Sequence, residues 1–154
     1  MLLFLDIDGV MVPAKAWKSP EFLQDGFPAF STKATIALQR LISKEDTVIL
    51  TTSHKAKYNI EEWKTIFESR GINLEKMKSL PENLKNLSRK DEIINWFHVN
   101  DVHEEFVIID DDKSLNDLPL FLKENLILTS PYIGLTEEHV EAIKSISHNG
   151  FHPA

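Results

Sequence analysis

The chain has 154 residues, 42% of them hydrophobic and 27% charged, with a formal net charge of −7; this is the profile of one soluble domain with room for a substantial core. The acidic balance weighs against broad electrostatic binding to nucleic acid, although a local basic patch can survive it. The absence of cysteine excludes disulfides, thiolate metal sites and cysteine nucleophiles, and no apolar run approaches the roughly 18 residues of a membrane span.

Leu2 to Leu5 is an apolar run of strand length, and two carboxylates, Asp6 and Asp8, follow it with Ile7 between them. It is too short for a signal-peptide core and acids follow at once, so a cytoplasmic location with no membrane partner is expected. Residues two apart in an extended segment point the same way, so the two acids project together, and Gly9 lets the backbone break away after them. Met11 to Phe30 is irregular, with Pro13, Pro20, Gly26 and Pro28, yet it carries Trp17, Phe22, Phe27 and Phe30, too many aromatics for a disordered linker. The expectation is an ordered loop over residues 11–30 whose rings pack over the sheet edge and which flanks the acids as a flap bearing on substrate choice.

Ser31 or Thr32 can cap a helix in which Ala34, Ala37, Leu38, Leu41 and Ile42 recur at helical spacing. Thr47 to Thr52 is a β-branched strand ending in hydroxyls. Asn59 to Arg70 is the next helix, with Ile60, Trp63 and Phe67 on one face and Gly71 as its stop. Leu74 to Leu80 is a weak third strand. Ser88 caps a helix through about Val99, with Ile93, Ile94, Trp96 and Phe97 inward. Glu105 to Asp110 is a strong strand running into Asp111 and Asp112, and Asn125 to Thr129 is a fifth. Thr136 caps the last helix, with Leu135 and Val140 placed as a hydrophobic staple. Strands alternating with helices imply a parallel sheet with crossover helices, hence a single α/β domain of three layers over residues 1–154.

Three strands end in chemically useful residues: Asp6 and Asp8; Thr51, Thr52 and Ser53; Asp110, Asp111 and Asp112. A parallel sheet brings such ends to one edge. Asp-Gly is also a common turn pair, so Asp6 and Asp8 have an ordinary turn as their alternative. Lys90 stands in the first turn of its helix, where a cation opposes the helix dipole, which calls for a reason in the site. An acidic cradle for a hard divalent metal such as Mg²⁺, a hydroxyl donor and one cation together suit phosphoryl transfer.

These motifs resemble those of the haloacid dehalogenase (HAD) superfamily of phosphohydrolases. Asp6-Ile-Asp8-Gly9-Val10 matches its first motif; Val48-Ile-Leu-Thr-Thr52-Ser53 matches its second, through Thr52 with Ser53 close behind; Lys90 in Ser88-Arg-Lys-Asp-Glu-Ile-Ile94 matches its third; Phe106-Val-Ile-Ile-Asp110-Asp111 matches its fourth. The resemblance implies a Rossmann-like HAD domain with a central five-stranded parallel sheet and a Mg²⁺-dependent phosphomonoester phosphatase. In it Asp6 is the nucleophile, Asp8 the general acid and base, and Thr52, Ser53 and Lys90 bind the phosphoryl group, Lys90 also pairing with the nucleophile Asp6. Metal falls to an Asp6 oxygen, the Asp8 carbonyl and Asp111, with Asp110 directly or indirectly involved. Asp112 is read as a loop acid capping the turn at Ser114.

The stretch Leu126-Ile-Leu-Thr-Ser-Pro-Tyr-Ile-Gly134-Leu-Thr-Glu-Glu-His139 resembles the HAD domains named for Swiss Army Knife RNA repair proteins. Those often carry Trp after the Thr-Ser of the second motif; His54 stands there in this chain. Neither interval that could hold a cap, residues 11–30 or 54–89, has the roughly 50 residues a second folded unit needs. An uncapped site points to a phosphorylated macromolecular terminus, nucleic acid ahead of protein, approached past Lys76, Lys78, Lys85, Arg89 and Lys90; a solvated face is the alternative for those cations. A phosphatase of a small metabolite and a catalytically silent metal- or partner-binding domain are the competing functions. A receiver-type signalling domain places its acids in a different order. His98, His103 and His139 are expected at the surface, and His148 and His152 in a frayed tail.

Overall fold

The computed structural model describes residues 1–14 and 21–149, with side chains described as far as Ile146. Trp17, His148 and His152 therefore lie outside what is described of side chains. The strands are β1 (Leu2–Leu5), β2 (Thr47–Leu50), β3 (Lys76–Ser79), β4 (Phe106–Asp110) and β5 (Leu126–Leu128). The α-helices are α1 (Thr32–Leu41), α2 (Ile60–Glu68), α3 (Arg89–Val99), a single turn α4 (Leu120–Lys123) and α5 (Glu137–Asn149).

All five strands are parallel, in the order β3-β2-β1-β4-β5. Alternation along each strand sorts the core into two layers. Leu3, Leu5, Val48, Leu50, Val107 and Ile109 join the cluster with Ala37 and Leu38 of α1, Trp63 and Phe67 of α2, and Val140 and Ile143 of α5. Leu2, Phe4, Ile49, Phe106 and Ile108 join the other, with Ile93 of α3 and Leu122 of α4. Trp63 is fully buried and its indole N–H donates to the Lys55 carbonyl at 3.1 Å, so truncating it to alanine costs about 3–5 kcal/mol.

The helix ends follow their cap chemistry. Ser31, rather than Thr32, caps α1 by accepting from the Ala34 amide, and Ser88 caps α3 through Asp91. Asn59 and Glu62 form a reciprocal capping box on α2. Gly71, at φ +87°, ends that helix, with the Ile72 amide bonded back to the Phe67 carbonyl at 3.0 Å.

Strand β3 is an edge strand whose only buried residue is Met77, which is why its apolar signal is weak. In the described part of the 11–30 loop, Phe27 and Phe30 are buried, whereas Phe22 is exposed. Phe27 packs edge-on against Trp63 and Phe30 against Phe67. Arg70 pins the loop by donating to Asp25, to the Phe27 carbonyl and to the Pro28 carbonyl.

Candidate active site

The strand order reverses direction at β1: the chain moves outward through β2 and β3, then returns to the other side as β4 and β5. The crevice between the carboxyl ends of β1 and β4 is therefore the switch point, where open α/β sheets leave room for a ligand. Asp6 and Asp110 occupy it. The Asp6 amide still donates to the Ile109 carbonyl at 3.1 Å, so the ladder runs straight into the acids. Side-chain alternation places Asp6 with Leu2 and Phe4, and Asp110 with Phe106 and Ile108, all facing the α3 layer.

Asp6, Asp110 and Asp111 each offer a carboxylate oxygen within 4.8 Å of the others. Asp6 and Asp110 are almost wholly buried. Burial, and then the charge of Asp110, pushes the Asp6 carboxyl well above its usual range, while Arg89 pulls it back. Burial followed by Asp110 also raises Asp111. The cluster thus holds more negative charge than it can comfortably keep.

Part of the relief is internal. Arg89, the first residue of α3, sets its Nη1 2.6 Å from Asp110 Oδ2 and 3.4 Å from Asp6 Oδ1. Burial works against its charge, but Asp110 and Asp6 outweigh burial and raise its pKa above the ordinary value. The same Nη1 reaches the Thr51 hydroxyl at 3.5 Å. Arg89 lies four residues before the fully buried Ile93 and so shares its inward stripe. Behind it, Glu92 links Arg89 Nε at 3.7 Å to the buried Lys55, whose Nζ donates to Glu92 at 2.8 Å. Lys90, the cation singled out from the sequence, is half-buried in the same turn, but the ion pairs to the acids run from Arg89 instead.

Gly9 makes room for Asp111. A Cβ at Gly9 would overlap the Asp111 carboxylate, and its φ of +83° is left-handed. The turn around it is braced: the amides of Val10, Met11 and Val12 converge on the Ile7 carbonyl, and the Thr129 hydroxyl donates to the Gly9 carbonyl at 2.6 Å. An all-oxygen donor set, with the backbone cleared beside one donor, fits a hard divalent cation. Asp110 Oδ1 accepts the Asp112 amide at 3.0 Å, and its Oδ2 takes Arg89. Asp112 lies outside the cluster and accepts the Ser114 amide at 2.9 Å.

Asp8 stands further out, its side chain 45% exposed, and one of its oxygens is 2.7 Å from His54 Nε2. Thr52 is buried and its hydroxyl oxygen accepts the His54 amide at 3.2 Å, which leaves its own proton to donate elsewhere. Ser53 is exposed. Arg89 and His54 are thus additions to the residues expected from sequence. The i, i+4 relation to Ile93 was a readable signal for Arg89; nothing local signals the pairing of His54 with a residue 46 positions away.

The basic approach changes accordingly. Lys76, Lys78 and Lys85 are exposed, but Arg89 is spent on the acids. Among the histidines, His98 is exposed and His103 pairs with exposed Asp101. His139 is half-buried rather than on the surface, because its Nδ1 accepts the Thr136 amide at 3.0 Å at the start of α5; burial lowers its pKa. No helix among the described residues is long and apolar enough to cross a membrane.

The family model described as "HAD domain in Swiss Army Knife RNA repair proteins" matches residues 2–140. No curated protein and no solved structure matches the chain.

Proposed function

The chain belongs to the family of HAD domains in Swiss Army Knife RNA repair proteins, and on that footing we propose that it is a Mg²⁺-dependent phosphomonoester phosphatase working through an aspartyl-phosphate. The observation that carries this reading is the meeting of Asp6 and Asp110 with Arg89 at the switch point between β1 and β4.

The residues divide the chemistry as follows. An Asp6 oxygen attacks the phosphorus, forming a P–O bond as the bond to the leaving oxygen breaks. Asp8 gives its proton to that leaving oxygen. It then takes a proton from the water whose oxygen displaces Asp6, releasing inorganic phosphate and restoring both carboxyls. Thr52, with Ser53 beside it, donates to a phosphoryl oxygen. Arg89 balances charge on Asp6 through the ion pair it already makes, and Lys90 is the neighbouring cation in the same helical turn. Asp6, Asp111, the Asp8 carbonyl and Asp110 would hold Mg²⁺, which when bound supplies charge neutralisation for the phosphoryl oxygens.

The substrate we propose is a phosphorylated macromolecular end, nucleic acid first. The described residues between β1 and β3 hold α1 and α2 of the core and no further helix of that length, and exposed Lys76, Lys78 and Lys85 offer a basic approach.

The test is release of phosphate from an aryl phosphate with Mg²⁺, with excess chelator, and with Asp6→Asn. Turnover only in the first supports the phosphatase. Turnover surviving chelator sinks the metal cradle, and turnover surviving Asp6→Asn sinks the nucleophile. A kcat/KM for 3′- or 5′-phosphorylated oligonucleotides below that for small sugar phosphates would overturn the substrate assignment.

A further inference from the structure

Resting on the phosphatase reading, we propose that His54 is a positioning residue for Asp8. Its Nε2 lies 2.7 Å from one oxygen of that carboxyl; in the tautomer that carries the proton on Nε2 it donates there and turns the other oxygen toward the reacting phosphoryl group. Asp8 needs such a tether. Its side chain is 45% exposed and sits beyond the end of β1 on a turn, where a carboxyl otherwise rotates freely about its terminal torsion. His54, by contrast, is fixed on several sides. Its amide is held by the Thr52 hydroxyl at 3.2 Å and its carbonyl accepts the Lys57 amide at 2.9 Å. Its ring stands edge-on to the Phe27 ring, with centroids 5.8 Å apart. Phe27 is in turn locked by Trp63 and by the Arg70 bond to its carbonyl. The 11–30 loop therefore bears on the chemistry through this ring.

A constant N–H donor suits both halves of the reaction. When Asp8 is protonated on its free oxygen, the bonded oxygen is carbonyl-like and accepts. When that proton has passed to the leaving oxygen, as the P–O bond to Asp6 forms and the P–O bond to the leaving group breaks, the same oxygen is carboxylate and accepts more strongly. In this scheme Asp8 carries the proton, and His54 only orients it. It acts through Asp8 and does not touch the phosphoryl group.

Leaving-group dependence separates this role from a merely structural one. The value of kcat/KM reports steps up to transfer of the phosphoryl group to Asp6, and a poor alkoxide leaving group needs the Asp8 proton there while a nitrophenolate does not. His54→Phe keeps a ring against Phe27 but removes the donor; His54→Gln restores an N–H at similar reach. With melting curves confirming folded protein, His54→Phe should lower kcat/KM for an alkyl phosphate about 10- to 100-fold. For 4-nitrophenyl phosphate the loss should stay within about threefold, and His54→Gln should recover most of the alkyl activity. Equal losses on both esters, no loss on either, or a His54→Gln variant no better than His54→Phe would overturn the assignment. Failure of the unaltered chain to hydrolyse either ester would instead strike the phosphatase reading, and this inference with it.

Discussion

Arg89 and Asp110 meet at 2.6 Å across the gap between the first turn of α3 and the last residue of β4. The contact is charge-assisted and nearly dry, Asp110 being fully buried and Arg89 13% exposed in its side chain. It gives the site a built-in cation on the same acids that would hold a metal.

Removing that cation should therefore have opposite effects on stability and on metal affinity. Arg89→Ala strands Asp110 and Asp6 and should cost about 3 kcal/mol of metal-free stability. The extra repulsion should tighten Mg²⁺ binding, seen as a lower midpoint in a thermal-shift titration. Turnover of an aryl phosphate should fall about 100-fold. Lys90→Ala, at a residue with no ion pair to the cluster, should change stability by no more than about 0.5 kcal/mol. A larger loss of turnover in Lys90→Ala than in Arg89→Ala would return the charge-balancing role to Lys90.

Gly9 ties the backbone to the acidic cluster. Gly9→Ala sets a Cβ onto the Asp111 carboxylate at a φ of +83°. The left-handed backbone alone costs about 1–2 kcal/mol, and Asp111 must swing out of place. Denaturation in chelator should show the stability loss, and the added stability that Mg²⁺ gives the unaltered chain should disappear. Full retention of that Mg²⁺ effect would mean Asp111 is not a ligand.

Acid should loosen the loop over residues 11–30 through one identifiable pair. Hydrogen bonds from Arg70 hold the Asp25 carboxyl below its ordinary range. A lowered folded-state pKa contributes stability that is present above the unfolded value, about 4, and is lost as pH falls through the folded one. Asp25→Asn should melt lower than the unaltered chain at pH 7, and the gap should close toward pH 2. A gap that stayed constant with pH would show that the carboxylate charge contributes nothing.

Sequence and structure agree where signals are local. The apolar runs at Leu2–Leu5 and Phe106–Asp110 are buried strands, and Asn59 and Ser88 cap their helices as their side chains allow. Strand β3 was faint because an edge strand buries one residue, Met77. Helix α4 went unread because it is a single turn behind Pro119, too short to show a period. In the site, Asp6, Asp110 and Asp111 converge because strand ends in a parallel sheet must. Choosing between Arg89 and Lys90 depends on helical phase rather than residue type, and Ile93 four residues on supplies that phase. The His54–Asp8 contact joins two loops through tertiary packing, which no local pattern encodes.

The central claim is that Asp6 becomes phosphorylated, and trapping that intermediate tests it most directly. Asp8→Asn lacks the base that activates water, so it should load from 4-nitrophenyl phosphate, whose leaving group needs no proton, and then stall. Mass spectrometry after acid quench should show one added phosphoryl group per chain, and borohydride reduction should convert position 6 to homoserine. No covalent phosphate while the unaltered chain turns over, or a reduced residue at any position other than Asp6, would contradict the account.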